Sequence, residues 1–196
     1  VVVAGHSWGA WVAIAFGAAH PERTLGVVCV DGGLGDLAAH FGGSWEVAEA
    51  AMRPPDLTGI SEAMLRGWVR QNELSGGDDA ADAAAILLGN FEPMPDNPAA
   101  LRPRLQVDQH MQIAKALYEF DTSGMLSRLR CPVLLLPARG SAVPADEKEA
   151  GVARAMAVLG DRAALEWIDG GHDLPVQRPA EVASAIATFI ERLASA

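Results

Sequence analysis

The chain has 196 residues, half of them apolar, which is enough for one domain with a sizeable core or one domain plus a lobe. Its 25 acidic and 15 basic residues give a formal charge of −10, which argues against a nucleic-acid or anionic-membrane surface. No apolar stretch reaches the roughly 18 residues of a membrane span, and no basic segment followed by an apolar one marks a secretory signal. Cys29 and Cys131 fall in or beside apolar runs, so the expectation is free buried thiols in a reducing, cytoplasmic setting rather than a disulfide framework.

In chain order, Val1-Val2-Val3-Ala4 reads as a buried strand and residues 10–19 read as an apolar helix. Between them stands Gly5-His6-Ser7-Trp8-Gly9. Strand, Gly-x-Ser-x-Gly, helix is the setting of a nucleophile elbow. A sharp turn projects the Ser7 hydroxyl above the sheet, and Gly5 and Gly9 are expected to let strand and helix approach closely. The Trp8 amide then lies at a helix N-terminus, where a donor can meet a developing oxyanion. The chain begins with Val1, not Met, already inside this first strand, and the expectation is a C-terminal part of a longer protein or one piece of a split one.

Residues 25–30 form a second continuous apolar run, ending at Asp31-Gly32-Gly33. Residues 132–137 and 165–168 supply two more strands. Helices at 10–19, 145–159 and 179–194 alternate with them. Continuous rather than alternating apolarity marks parallel strands covered on both faces, and strand–helix alternation predicts a doubly wound α/β sheet. Residues 34–125 break this rhythm, with helices expected at 44–53, 61–73, 79–88 and 104–119, N-caps at Ser44 and Ser61, and a Pro-rich linker over 93–103. Met64, Leu65, Trp68 and Val69 form one apolar stripe, and Val107, Met111, Ala114, Leu117 and Tyr118 another. The predicted organisation is core (1–33), inserted helical cap (34–125), core (126–196). The cap span holds 14 acidic and 6 basic residues, read as a solvated outer face.

After the last strand comes Ile168-Asp169-Gly170-Gly171-His172-Asp173, ahead of the terminal helix. Parallel strands put all their carboxyl ends on one side, so Ser7 and His172 can meet there. An imidazole titrating near neutrality suits removal and return of a hydroxyl proton. His6 is read as a support for the elbow, His20 as a helix end, and His40 and His110 as cap residues.

On these residues the chain resembles the α/β-hydrolase superfamily, and within it the capped, esterase-like members, over essentially its whole length. The order serine first, histidine last is that family's order. The resemblance implies Ser7 as nucleophile, His172 as general base and the Trp8 amide as one oxyanion donor, in the C-terminal part of an α/β-hydrolase fold. It departs in two places. The strands that precede the elbow, and the loop bearing a second oxyanion donor, are not in this sequence. The family's acid usually follows the penultimate strand, yet residues 137–144 read Pro-Ala-Arg-Gly-Ser-Ala-Val-Pro and hold no carboxylate. Three options stay open for the group that must orient His172: Asp31, at a strand end some members use; Asp146, slightly late in the usual loop; or no acid at all.

Gly33-Leu34-Gly35-Asp36-Leu37-Ala38 matches a dinucleotide-binding pattern, but the acid some twenty residues on, Asp56, does not end a strand, so the nucleotide reading carries little weight. No metal-ligand spacing or phosphate loop occurs, and no cofactor is expected. The leading expectation is a serine hydrolase that cleaves a small, modestly hydrophobic ester or related acyl compound through an acyl-enzyme. The partner is then a small-molecule acyl substrate, with oligomeric state open. Two alternatives stand beside it: a non-catalytic binder on the same fold, and a truncated, inactive fragment, poorly soluble because a parallel sheet that starts at an interior strand has an unpaired edge.

Overall fold

Apolar runs bounded by Gly and Pro set the frame. In the computed structural model, which describes residues 1–71, 80–140 and 143–195, the first run forms β1 (Val2–His6) and turns at once into α1 (Trp8–Ala19). The second forms β2 (Gly26–Val30), buried at every position, and a single helical turn, α2 (Leu37–His40), follows shortly after. The chain then divides. One compact unit comprises Val1–His40 with Phe120–Ala196, and the other is Phe41–Glu119.

The second unit holds α3 (Trp45–Met52), α4 (Glu62–Gln71), α5 (Ala80–Leu88), β3 (Phe91–Met94), β4 (Asn97–Pro103) and α6 (Val107–Tyr118). Ser44 and Ser61 do cap α3 and α4, accepting from the amides of Val47 (3.3 Å) and Met64 (3.2 Å). The expected helical residues 72, 73 and 79 lie outside the described residues. The span 93–103 is not a linker but most of an antiparallel hairpin, with Glu92 opposite Arg102 and a register shift between Pro93 and Met94. Proline argued against a strand here because it cannot donate to a ladder. In a two-stranded sheet both strands are edges, so Pro93, Pro98 and Pro103 are tolerated. The first apolar stripe also splits: Leu65 and Val69 are buried, whereas Met64 and Trp68 are exposed.

The first unit resumes with α7 (Thr122–Arg128), β5 (Val133–Leu136), α8 (Ala145–Leu159), β6 (Ala163–Leu165), the short α9 (Leu174–Gln177) and α10 (Pro179–Ala194). Its sheet runs β1-β2-β5-β6, parallel throughout. The fourth strand lies earlier than the expected 165–168, although Ile168 still bridges to Ala138 in parallel. α7 and α9 are too short for a periodic apolar pattern and were not expected.

Side-chain parity in β2 and β5 sends alternate residues to opposite faces. Val27, Cys29, Val133 and Leu135 pack with residues of α1, α7 and α8. Val28, Val30, Leu134 and Leu136 pack with Leu174 and with Val182, Ala185 and Phe189 of α10. Two helix layers on one parallel sheet is the doubly wound arrangement the sequence predicts. Both cysteines are free and buried, and burial pushes the Cys29 thiol up to about 12. No helix among the described residues is long and apolar enough to cross a membrane.

Candidate active site

β1 delivers Ser7 into a left-handed backbone conformation, φ 53° and ψ −128°, directly before the first turn of α1. Two glycines make the bend possible. A Cβ on Gly5 would fall 1.9 Å from the Gly9 carbonyl oxygen, and one on Gly32 would fall 2.1 Å from that of Ser7. Gly9 itself faces open space, so its expected role in close approach is corrected: Gly5 supplies the clearance and Gly9 only its backbone. Trp8 is the first residue of α1, which puts its amide at the helix N-terminus, directly after Ser7 in the chain.

The β6–α9 connection brings His172 back to this edge of the sheet. Its Nε2 is 2.9 Å from Ser7 Oγ, and its Nδ1 is 2.8 Å from Asp31 Oδ2. His6 braces the same loop, with Nε2 donating to the His172 carbonyl oxygen at 2.7 Å and the two rings 5.0 Å apart. The imidazole is half-exposed, whereas the Asp31 side chain is 3% exposed. Asp31 directly follows β2 at φ 38°, one of two non-glycine residues with positive φ among the described residues; the other is Ser7.

Of the two carboxylates weighed for His172, the contact falls to Asp31. Asp146 lies instead in the first turn of α8. Asp169 pairs with Arg139 at 3.2 Å, and Asp173 precedes α9. The segment without a carboxylate takes part all the same, for the Ala138 amide donates to Asp31 Oδ1 at 2.9 Å. Residues 141 and 142 of that segment lie outside the described residues.

One member of the site was not foreseen. Lys148 Nζ donates to Asp31 Oδ1 at 2.6 Å and to the Ala138 carbonyl oxygen at 2.9 Å, with both charged side chains buried. The sequence does carry a signal for it: Lys148, Gly151, Val152, Ala155 and Leu159 make up the buried stripe of α8, and a lysine in such a stripe needs a partner.

These contacts set the protonation states. Burial alone would raise the Asp31 carboxyl; hydrogen bonds from His172, Lys148 and the Ala138 amide outweigh it and hold the group below its ordinary 3.8. His172 is raised above its ordinary 6.5, first by the Asp31 hydrogen bond, against the opposing effects of burial and of Lys148. The arrangement thus pairs a hydroxyl with a neutral-capable base whose far nitrogen is fixed by a stable anion. Such geometry can activate the hydroxyl and stabilise the imidazolium that forms. Among the described residues no cluster of His, Cys, Asp and Glu is placed to hold a metal ion.

The sequence pattern of the alpha/beta hydrolase family matches residues 1–185. No curated protein sequence matches the chain. Among solved structures it is similar to an E-2-(acetamidomethylene)succinate hydrolase, at 20% identity and a TM-score of 0.74, covering 97% of this chain and 66% of that one. It is similar also to a thioesterase domain from the curacin biosynthetic pathway, at 19% identity and a TM-score of 0.66, covering 96% and 66%. A third, an esterase from M. tuberculosis, gives 16% identity and a TM-score of 0.68, covering 97% and 62%. The chain therefore spans just under two thirds of the length of these structures, and at such identities the likeness is one of fold. By the family pattern that covers nearly all of it, the chain belongs to the alpha/beta hydrolase family.

Proposed function

We propose that the protein is a serine hydrolase that cleaves a small, modestly hydrophobic ester or related acyl compound through an acyl-enzyme. The observation that carries this reading is the continuous hydrogen-bonded line Ser7 Oγ–His172 Nε2, His172 Nδ1–Asp31 Oδ2, at 2.9 and 2.8 Å. In the proposed reaction Ser7 Oγ attacks the substrate carbonyl while His172 Nε2 takes its proton. Asp31 balances the imidazolium, and the Trp8 amide donates to the oxyanion. Collapse of the tetrahedral intermediate expels the alcohol or thiol, which takes the proton from His172. Water, deprotonated by His172, then attacks the acyl-Ser7 ester; the acid departs and Ser7 recovers its proton.

The competing reading, a non-catalytic binder on this fold, rests on the missing carboxylate in residues 137–144. The contact between Asp31 and His172 weighs against it, because it supplies from β2 the partner that segment lacks. A fluorophosphonate probe tests the proposal. The full-length protein should gain one probe mass on the peptide that contains Ser7, and Ser7→Ala should cut the labelling rate by about a thousandfold or more. Equal labelling of the two proteins would refute it.

A further inference from the structure

We propose that Lys148 is a positioning residue for the Ser7 reaction: its ammonium, bridging the Asp31 carboxylate and the Ala138 carbonyl, holds Asp31 Oδ2 on His172 and tempers the negative charge that Asp31 lends to the imidazole. The proposal rests on the reading of Ser7, His172 and Asp31 given above.

The argument begins with the two oxygens of one carboxylate. Oδ2 faces His172 Nδ1 at 2.8 Å, and Oδ1 takes both the Ala138 amide at 2.9 Å and Lys148 Nζ at 2.6 Å. With Oδ1 held by two donors from separate elements, rotation about the carboxylate bond would break both contacts at once. Asp31 needs such fixing. It sits at a strand end with φ 38°, and its side chain meets His172 where the loop bearing it returns over the ends of β1 and β2. The second Lys148 contact, to the Ala138 carbonyl oxygen at 2.9 Å, ties the ammonium to the strand end that also feeds Oδ1. Lys148, Asp31 and Ala138 thus form a closed ring of hydrogen bonds.

α8 is seated so that the lysine arrives there. Three residues on, a Cβ at Gly151 would lie 2.9 Å from the Leu34 carbonyl oxygen, in the loop that follows Asp31. One helical turn therefore carries both the clearance that lets α8 approach and the cation that uses it. Both ends of the ion pair are out of water, with side-chain exposures of 8% and 3%, so its electrostatic influence is little screened.

The chemical consequence concerns the strength of the base. A lone buried carboxylate beside an imidazole makes it strongly basic, and a base already protonated at rest cannot accept the Ser7 proton. The titratable or charged groups that face the imidazole are Asp31 from β2, Lys148 from α8, His6 from β1 and its own neighbour Asp173. Lys148 brings the ammonium of this set, on Asp31 Oδ1 at 2.6 Å. It offsets part of Asp31's charge while leaving Oδ2 free to orient the ring.

The test follows the His172 ring by NMR as a function of pH in the full chain, together with the pH dependence of fluorophosphonate labelling at Ser7. In Lys148→Met the His172 midpoint should rise by about 0.5 pH unit or more, with the acid limb of labelling moving alongside it. An aliphatic stem that served only packing would leave both midpoints where they are, and an unmoved or lowered midpoint overturns the proposal. Should Lys148→Met fail to fold, the comparison passes to Asp31→Asn against Asp31→Asn/Lys148→Met, both without the buried carboxylate. Because Lys148 is held to act through Asp31, their plateau labelling rates should agree to about twofold; a further tenfold loss in the double variant overturns the proposal. The two readings fail separately. A wild type that takes no label while its His172 midpoint still responds to Lys148→Met refutes the serine-hydrolase reading alone. A labelled wild type with an unresponsive midpoint refutes the role of Lys148 alone.

Discussion

Among the described residues of the unit Phe41–Glu119, charged side chains pair with near neighbours in sequence. Arg53 pairs with Glu49, Arg66 with Glu62 and Lys115 with Glu119, each four residues apart and each exposed. Ser44 and Ser61 cap helices three residues on, and Glu92 meets Arg102 across a hairpin. At the candidate active site the separations are of another order: 165 residues between Ser7 and His172, 141 between Asp31 and His172, 117 between Asp31 and Lys148. Contacts of the first kind form as soon as a helix or hairpin does, and each contributes a few tenths of a kcal/mol. Those of the second kind exist only once the parallel sheet has assembled, because its register alone brings the strand ends together. Local chemistry shapes one unit; in the other, the sheet is the device that makes the chemistry local.

Variants that break the contrast should show it in the size of their effects. Asp31→Asn should have the largest effect, lowering Ser7 labelling roughly 10²–10⁴-fold. It should also destabilise the fold by about 3–5 kcal/mol, because Lys148 is left buried without its counter-ion. The pH dependence sharpens this. Asp31's carboxyl is held below 3.8, so its contribution to stability is present above that pH and fades as the pH falls through the lowered value. His172 is raised above 6.5, so its contribution is present below that pH and fades as the pH rises through the raised value. The melting gap between wild type and Asp31→Asn should therefore be widest from pH 3.8 to 6.5, which calorimetry across that range will check.

Gly5→Ala comes next. Its Cβ would overlap the Gly9 carbonyl at 1.9 Å, so β1 and α1 must part, at a cost of about 4 kcal/mol in chemical denaturation. In the other unit Ser44→Ala should cost about 1 kcal/mol through the lost cap of α3. Glu62→Gln should cost less than about 0.5 kcal/mol, since it removes one exposed i,i+4 pair, and even that should vanish in high salt. A Glu62→Gln effect as large as that of Asp31→Asn would erase the distinction between the two regions.

The same distinction governs what could be read from the sequence. Ser7 was legible because the turn that exposes it needs glycine at Gly5, and His172 because a glycine pair lifts it onto a loop after the last strand. The doubly wound core was legible in uninterrupted apolar runs such as residues 25–30 and 132–137. Asp31 stayed one of three options, since what selects it is a contact across 141 residues that no local pattern encodes. Lys148 was passed over because a lysine on a helix is ordinarily read as solvated. Only its place on the stripe that continues through Val152, Ala155 and Leu159 marks it as buried. The hairpin over Phe91–Pro103 was missed for the opposite reason: proline is a strong local signal, and here a two-stranded sheet overrides it.

Ser7 stands at φ 53°, where a side chain costs roughly 1–3 kcal/mol and glycine costs almost nothing. Folding alone would therefore favour glycine at this position. A serine at residue 7 is thus a residue that folding stability alone argues against, and Ser7→Gly should raise the melting temperature as it removes the hydroxyl.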